Sequence, residues 1–508
     1  MPMRLTTRRD DALPPLAWCA RLRRGADDVA VVHGPWVEAR HDRFFEGAWN
    51  GPFDEGPPSM ATACFGSGGE LAGDGFQFVT PTHMLERIQI VRAGDDLYVS
   101  NSLAFLLAAT NDAMSPKHKY YHFELMSNMK GYRRYRRSVR TRAGHDVRII
   151  YHANVVVRPD LSVEVVDKPL PPEFDSYEQY RRFLEDLVAS VAANAADPRR
   201  TQPFAPIATI SSGYDSPACA LLARAVGATD AITFGRARPG YDEEDDSGRE
   251  IANHLGLRVL EFDRLEYRSS DSLPEAEFLA NGTGGEEVVF APLERVLPGT
   301  LLFTGYLGDA AWNRVTKRVN TELLMLYPGG SSLGEFRLRV GFVHFPVPTA
   351  GYIRHPSLYA ISNSTPMRQW ALGNDYDRPI PRRMLEEIGV AREAFGRTKK
   401  AITQPLWFNE PLNRLMSPRS YASFSAFAAT VPIFDTPLRK VGFRAMRLLY
   451  ELNLRVNWRV ERYARRFGLR AGERVLVPER YSQDLTESAL TFHWGLEQTM
   501  RRYTHVRF

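Results

Sequence analysis

Residues 207–216, IATISSGYDS, decide how this sequence folds. The stretch starts with apolar and β-branched residues typical of a strand, passes through Ser-Ser-Gly-Tyr-Asp-Ser, and leads into PACALLARAVG, which resembles a helix. A strand, a glycine-bearing turn and a helix bind anions well, because serine hydroxyls and the free N–H groups of the helix start attract negative charge. Phosphate is the expected ligand, although the Walker spacing G-x-x-x-x-G-K-[ST] and its lysine are missing. The alternative is an ordinary capped turn.

The alternation of strands and helices continues beyond this stretch. Apolar strands are predicted at IATIS, DAITFG, LRVLEFD and TLLFTGY, and helices at ACALLARAVG, DDSGREIANHLG and VVFAPLERVLPG. This order predicts an α/β fold whose parallel sheet is covered on both faces. Ligands of such sheets bind at the carboxyl ends of strands, where both SSGYDS and TGYLGD lie.

The first 165 or so residues are different in character, because they are rich in short strands such as VAVVHG, FQFVT and VRIIYHANVVV. The Pro-rich, acidic DKPLPPEFDS near residue 170 is a predicted linker, and a helix capped by Asp175 or Ser176 follows it. We therefore predict one domain over residues 1–168 and a second over residues 169–508, mainly helical after about residue 405.

Composition excludes several classes of protein. The 508 residues are 44% hydrophobic and 25% charged, as in a folded soluble protein, and no apolar run or secretion signal is present. We expect a cytoplasmic protein with no membrane partner. The three cysteines have no paired spacing and are predicted to be reduced packing thiols.

The net charge of +5 comes largely from arginine clusters at residues 133–142 and 439–470. In the second cluster, apolar residues keep helical spacing while arginines fill the other faces, as in a solvated amphipathic helix. We interpret both clusters as solvated faces and expect no nucleic-acid partner, although the charge leaves that alternative open.

The motifs resemble those of a known superfamily. SSGYDS resembles the SGGxDS signature of the N-type ATP pyrophosphatases. The segments AITFGRARPGYDEEDDSGREIANHLGL, LLFTGYLGDAAWN, YIRHPSL and FGRTKKAI then follow in the order expected of asparagine synthetase relatives, which include β-lactam and carbapenam synthetases. The likeness covers about residues 205 to 402. It implies a PP-loop synthetase domain of the adenine-nucleotide α-hydrolase-like fold.

The resemblance implies roles for individual residues. Asp215 and Asp309 would bind Mg²⁺, which prefers carboxylate and phosphate oxygens. The implied ATP-binding residues are Ser211, Ser212, Gly213, Asp215, Ser216, Thr233, Phe234 and Gly305, and Glu243 and Glu244 take the positions of an acidic pair. The implied catalytic residues are Lys399, Tyr306 and Glu335, and the implied substrate-binding residues are Glu286 and Arg354.

Three of these roles have alternatives. The positive charge of Lys399 would stabilise the charge that develops at the α-phosphate, but the neighbouring Lys400 competes for the same alignment. Tyr306 and Glu335 would deprotonate the attacking nitrogen, as a Tyr–Glu pair does in the β-lactam-forming branch; the alternative is that Tyr306 is a buried aromatic with a bonded hydroxyl and Glu335 an exposed helix residue. Glu286 and Glu287 could instead simply open the helix that follows them.

The N-terminal domain resembles the glutaminase domain of asparagine synthetases in FEGAWNGPF, GDDLYVSNSLAFLLAAT and RTRAGHDVRIIY. That domain needs a cysteine after the initiator Met, and residue 2 is Pro here. The nearest thiol, Cys19, would need proteolysis to become N-terminal. The resemblance therefore implies an α+β Ntn-hydrolase-like sandwich that does not hydrolyse glutamine.

The sequence thus predicts an ATP-dependent amide-bond synthetase that adenylates a carboxylate, releases AMP and pyrophosphate, and joins an amine. The amine source stays open between free ammonia, a second substrate and the same molecule. Two alternative functions remain: a PP-loop enzyme that modifies tRNA, and a catalytically retired ATP-binding regulator. The substrate is not fixed by the sequence, and neither is the oligomeric state, a homodimer included.

Overall fold

A computed structural model of the chain describes residues 3–237, 246–374, 376–396, 401–406, 411–432, 436–466, 476–477 and 487–508. Within them the fold is mixed α/β, with two sheets from residues 4–167 and a third from residues 205–346. The strands of the first two sheets are β1 (Arg4–Arg9), β2 (Trp18–Arg23), β3 (Asp28–His33), β4 (Glu38–Ala39), β5 (Arg43–Trp49), β6 (Cys64–Ala72), β7 (Gly75–Val79), β8 (Ile88–Ala93), β9 (Asp96–Ser100), β10 (Ser138–Arg140), β11 (Asp146–Ile150), β12 (Ala153–Val157) and β13 (Val163–Asp167).

These two sheets lie face to face. One has the strand order β1-β3-β2-β9-β8-β11-β10 and the other β13-β12-β7-β6-β5-β4, and apart from the parallel pair β1 and β3 their strands are antiparallel. Trp18 of the first sheet packs against Phe44 and Phe78 of the second, with ring centroids 4.9 and 6.0 Å apart. Alternating apolar residues therefore form a core between the sheets, as in a sandwich.

The third sheet is wholly parallel. It contains β14 (Ala205–Thr209), β15 (Asp230–Phe234), β16 (Arg258–Phe262), β17 (Thr300–Thr304) and β18 (Phe342–Pro346) in the order β16-β15-β14-β17-β18. The predicted parallel sheet is confirmed, with β18 as an additional strand. Because the chain moves to one side of β14 for β15 and to the other for β17, the strand order reverses between β14 and β17, where such sheets bind ligands.

The helices, in chain order, are α1 (Leu103–Ala109), α2 (Tyr121–Leu125), α3 (Tyr177–Ala195), α4 (Asp215–Ala225), α5 (Arg249–His254), α6 (Pro274–Ala280), α7 (Gly308–Ala311), α8 (Gly334–Val340), α9 (His355–Asn363), α10 (Pro379–Glu386), α11 (Leu412–Leu415), α12 (Pro418–Thr430), α13 (Pro437–Arg466) and α14 (Thr491–Met500). Ser176 caps α3 by accepting a hydrogen bond from the Gln179 amide. The predicted helix VVFAPLERVLPG is a 3-10 helix over Val288–Arg295, with Pro292 inside it. Among the described helices, none is long and apolar enough to cross a membrane.

The sandwich and the parallel-sheet part are joined by buried contacts. Arg337 of α8 forms ion pairs with Glu46 of β5 and Glu86, at 2.7 and 2.8 Å. Near the C-terminus, the ring of Tyr503 stacks on that of Phe105 at 4.6 Å. The end of the chain therefore packs against the N-terminal part.

The three cysteines, Cys19, Cys64 and Cys219, are buried free thiols, which confirms the predicted packing role. Burial raises the pKa of Cys64 to about 12, so this thiol is protonated at neutral pH.

Candidate functional site

The turns after β14 and β17 touch each other. The Cα of Gly308 lies so close to α4 that a Cβ placed there would be 2.3 Å from Cγ of Asp215. A Cβ on Gly305 would be 2.6 Å from the amide nitrogen of Ser216. Only glycine fits at either position, and the second glycine of TGYLGD is therefore what lets the two turns meet.

A cavity of about 220 Å³ opens over these turns. Its wall comes from the carboxyl ends of β14, β15 and β17 and from two later segments at residues 376–378 and 401–403. Predicted site residues in the wall are Ser211, Gly213, Asp215, Ser216, Phe234, Gly305, Tyr306 and Asp309. The structure thus brings together eight predicted positions from three separate parts of the chain, residues 211–216, 234 and 305–309.

Serine hydroxyls define the floor beside the start of α4. The Oγ atoms of Ser211 and Ser216 are 2.8 Å apart, and the Gly213 amide donates to Ser211 Oγ at 3.3 Å. Ser212 behaves differently, because its Oγ donates to Asp246 Oδ1 at 2.8 Å and it is not part of the cavity wall. Of the three serines, Ser211 and Ser216 are thus placed to donate to a bound anion.

The two carboxylate oxygens of Asp215, at the start of α4, have different surroundings. Arg378 donates a hydrogen bond to Oδ2, while Oδ1 is buried and has no hydrogen-bond partner among the described residues. Burial lowers the pKa of Arg378 to about 9, so holding this guanidinium in the cavity wall is costly. Sequence reasoning missed Arg378, since an arginine before a helix-starting proline carries no motif.

Asp309 also lines this cavity, in the first turn of α7. The preceding Leu307 has φ of +69°, a left-handed conformation that costs about 1–2 kcal/mol for a residue with a Cβ. The chain thus accepts backbone strain at the turn that carries Asp309. Such strain is common where a functional group must be aimed.

The two aspartates fit a magnesium ion. No cluster of three or more His, Cys, Asp and Glu side chains suited to a metal occurs in the described ranges. Mg²⁺ does not require one, because it is commonly held by one or two carboxylates, waters and substrate phosphates. The buried Oδ1 of Asp215 supplies an oxygen without a competing hydrogen bond.

Tyr306 is paired differently from the prediction. Burial raises the pKa of its hydroxyl well above the usual range, and the carboxylates of Glu287 and Glu286 raise it further. Glu287 is held by the amides of Gly330 and Ser332 at 2.7 and 3.1 Å. Tyr306 therefore faces a fixed buried carboxylate.

Glu335 is not that carboxylate, and the predicted Tyr306–Glu335 pair is wrong. Glu335 accepts hydrogen bonds from Ser102 at 2.6 Å and from Tyr503 at 3.1 Å. The reason is that α8 begins at Gly334 and its second residue, Glu335, contacts the N-cap of α1 and Tyr503 near the C-terminus. The signal for Glu287 was present as a pair of acids before an apolar segment, but a sequence cannot show which acid faces Tyr306.

The remaining predicted residues divide between the cavity and its surroundings. Phe234 lines the cavity and stacks on Phe290 at 5.9 Å, which forms an apolar wall. Thr233 is buried behind it and accepts a hydrogen bond from the Gly248 amide at 2.9 Å. Glu286 is buried close to Tyr306 but is not in the cavity wall.

The predicted substrate role of Arg354 is wrong for this cavity. Its side chain donates to the Pro171 carbonyl at 2.9 Å and to Glu173 at 2.6 Å. Arg354 therefore fastens the Pro-rich segment after the sandwich to the 3-10 helix Tyr352–Arg354.

Lys399, Lys400, Glu243 and Glu244 lie outside the described residues. The residues on both sides of the lysines are described, however. The Gly396 amide donates to the Ser212 carbonyl at 2.8 Å, and Ala401, Ile402 and Thr403 line the cavity.

A comparison of the sequence with protein-family models found no matching model, and a search of curated proteins found no matching protein.

Proposed function

We propose that this protein is an ATP-dependent carbon–nitrogen ligase that adenylates a substrate carboxylate and then joins it to an amine. The observation that carries the proposal is the contact between the two strand-to-helix turns, which places Asp215 and Asp309 around one cavity. Two acids, two serine hydroxyls and a helix start at the reversal point of a parallel sheet favour a nucleotide polyphosphate with its metal.

The proposal includes the finer fold assignments. The parallel sheet would be of the PP-loop type, and the sandwich would be an Ntn-hydrolase-like domain without the nucleophile. The strand order of the parallel sheet supports the PP-loop assignment, and the two packed sheets support the Ntn-hydrolase-like assignment. The buried thiols and the Pro at residue 2 agree with a domain that does not hydrolyse glutamine. We place the enzyme in the cytoplasm.

The nucleotide would lie with its base against the apolar wall and its phosphates on the serines. Phe234, Phe290 and Ile232 supply the wall, and Ser211 and Ser216 donate to the β- and γ-phosphates. Asp215 and Asp309 would hold Mg²⁺, which when bound neutralises charge on the pyrophosphate. Arg378, which donates to Asp215 Oδ2, would compete with the metal for this carboxylate.

The chemistry takes two steps. An oxygen of the substrate carboxylate attacks the α-phosphorus, and the bond to the β-phosphate oxygen breaks, which releases pyrophosphate. The amine nitrogen then attacks the acyl carbon, the bond to AMP breaks, and the amine proton passes to a base. Glu287 is the proposed base: the Tyr306 hydroxyl would take the amine proton and pass its own proton to the Glu287 carboxylate. Lys399 is the proposed source of positive charge at the α-phosphate.

ATP–pyrophosphate exchange, measured with fractions of a metabolite extract as the carboxylate source, tests this function. We expect Mg²⁺-dependent exchange in at least one fraction and its loss in Asp309→Asn. Asp263→Asn is the matched control, since Asp263 follows β16 at the same sheet edge and bonds only locally, to the Leu265 amide. Release of ADP and phosphate, or unchanged exchange in Asp309→Asn, would refute the proposal.

A further inference from the structure

Helix α13 carries an apolar stripe that the other described residues leave exposed. Six of its side chains are between 45% and 63% exposed: Leu448, Leu449, Leu452, Val456, Val460 and Tyr463. Leu438 and Val441, about three and two turns before Leu448, are 81% and 62% exposed. Solvated apolar residues occur singly on most proteins, but a continuous row marks a binding surface.

The row lies on one side of the helix. At 3.6 residues per turn, these eight residues project within a sector of about 120°. Phe443 and Tyr450 project on the other side and are buried, so they mark the face that packs against the protein. The amphipathic pattern read from the sequence is therefore real, but its apolar side faces outward.

Basic residues flank this stripe. Helix α13 contains eight arginines, one lysine and two glutamates, which gives it a net charge of +7. Exposed cations next to the stripe include Lys440, Arg444, Arg455 and Arg459. A partner must therefore offer both an apolar layer and negative charge.

We propose that α13 binds the surface of an anionic lipid bilayer, with its axis parallel to the membrane plane. A bilayer interface supplies acyl chains for the stripe and acidic headgroups for the arginines. The helix is about 45 Å long, which gives the protein an extended line of contact. Its many charges keep it from entering the bilayer as a spanning helix.

The charge and the apolar stripe of α13 disfavour two other partners, a second copy of the chain and nucleic acid. A second copy of the chain would bring two helices of +7 together with only two glutamates on each, which like-charge repulsion opposes. Nucleic acid would match the arginines but leave the apolar stripe in water, since phosphates do not cover leucines. The proposal does not depend on the ligase function.

Cosedimentation of the full chain with lipid vesicles tests the proposal without ATP or substrate. We expect binding to phosphatidylcholine vesicles that contain about 30% phosphatidylserine and little binding to phosphatidylcholine alone. Each basic side chain near the surface contributes about fivefold in affinity, so Arg455→Gln with Arg459→Gln should weaken binding by more than tenfold.

The stripe is tested by a triple variant that keeps helix propensity: Leu449→Gln, Leu452→Gln and Val456→Gln. We expect at least tenfold weaker vesicle binding with an unchanged circular dichroism spectrum. The matched control is Met60→Gln, Val165→Gln and Leu170→Gln, three exposed apolar residues outside α13, and it should bind vesicles as the wild type does.

Three results would overturn the inference. The first is equal binding to neutral and anionic vesicles, or to neither. The second is that the wild type sediments as a dimer and does not bind vesicles, while the stripe variant sediments as a monomer. The third is salt-sensitive RNA binding that survives in the stripe variant, again without vesicle binding.

Discussion

Arg337 at the junction of the two parts of the molecule and Arg378 in the cavity are both buried, and both contact carboxylates. At the junction, Arg337 contacts Glu46 and Glu86, and both oxygens of Glu46 accept hydrogen bonds. In the cavity, Arg378 contacts one oxygen of Asp215, and the other oxygen is buried without a hydrogen bond from any described residue. The first carboxylate is saturated and the second is not.

The pKa values of the two arginines also differ. At the junction the two glutamates raise the pKa of Arg337 in spite of burial, whereas in the cavity burial lowers the pKa of Arg378 to about 9. An ion pair in which both carboxylate oxygens are bonded, as in Glu46, serves structure, because removing its cation leaves a buried charge without a partner. An incompletely bonded one, in a cavity, marks a place where a ligand is expected to complete the charge balance.

The largest effect, on the free energy of unfolding, should come from removing the ion pairs of Arg337 at the junction. Arg337→Met leaves Glu46 and Glu86 buried without a cation, and we expect a loss of about 3–5 kcal/mol in the free energy of unfolding, measured by urea denaturation. Arg258→Met, which removes an exposed ion pair with Asp230, should cost less than about 1 kcal/mol. Similar losses in the two variants would show that the junction is not special.

The next largest effect, on the affinity for Mg²⁺-ATP, should come from disturbing the contact between the turns after β14 and β17. Gly308→Ala places a methyl group against Asp215, so we expect the affinity for Mg²⁺-ATP to fall by about a hundredfold, or about 2.7 kcal/mol. Calorimetric titration measures it. Gly442→Ala, where a Cβ meets no atom within 4 Å, is the control and should bind ATP normally. Normal binding in Gly308→Ala would mean that Asp215 is not used.

A pH-dependent effect should come from His344, which contacts Thr304 at 2.8 Å. Burial, and then Arg337, lower the pKa of His344 to about 3. Below about pH 6.5 the unfolded chain binds a proton at His344 and the folded protein does not. The free energy of unfolding therefore contains a contribution from His344 that is fully present above about pH 6.5 and is lost as pH falls.

His344→Gln should therefore flatten the fall in stability below pH 6.5 by up to about 1.4 kcal/mol per pH unit. Urea denaturation at several pH values between about 4.5 and 6.5 measures the slope. The exposed His41 serves as the control, and His41→Gln should leave the slope unchanged. A slope in His344→Gln equal to that of the wild type contradicts the assignment.

The smallest effect should come from Arg378→Gln. Without the guanidinium, the Asp215 carboxylate loses the cation that competes with a metal for it, so we expect Mn²⁺, as a stand-in for Mg²⁺, to bind about fivefold more tightly in the absence of nucleotide. Electron paramagnetic resonance of free Mn²⁺ reports this affinity. Weaker Mn²⁺ binding would instead assign Arg378 a role in shaping the metal site.

Local patterns predicted the parallel sheet well. Strands β14 to β17 were predicted because each is a short apolar run followed by turn residues, and the periodicity of α4 and α5 separates them. The strand β18 escaped prediction because FVHFP contains a histidine and ends in proline. The helical segment predicted at VVFAPLERVLPG is a 3-10 helix over Val288–Arg295, in which Pro292 lacks a backbone donor.

The site was predictable where a motif fixed the geometry. Asp215 and Asp309 follow strands that lie side by side, so their meeting follows from strand order. Partners chosen by tertiary packing were not predictable: Tyr306 meets Glu287 rather than Glu335, Arg354 holds a linker, and Arg378 carries no motif. Such choices depend on which helix face turns inward, which periodicity does not specify.

The central claim is that Asp215 and Asp309 act on one metal-bound nucleotide, and a double-mutant cycle on Mg²⁺-ATP affinity tests it most directly. We predict that Asp215→Asn and Asp309→Asn each weaken binding by about thirtyfold, and that the double variant is no more than about threefold weaker than either. Thirtyfold losses that multiply in the double variant, or wild-type affinity in either single variant, would contradict the account.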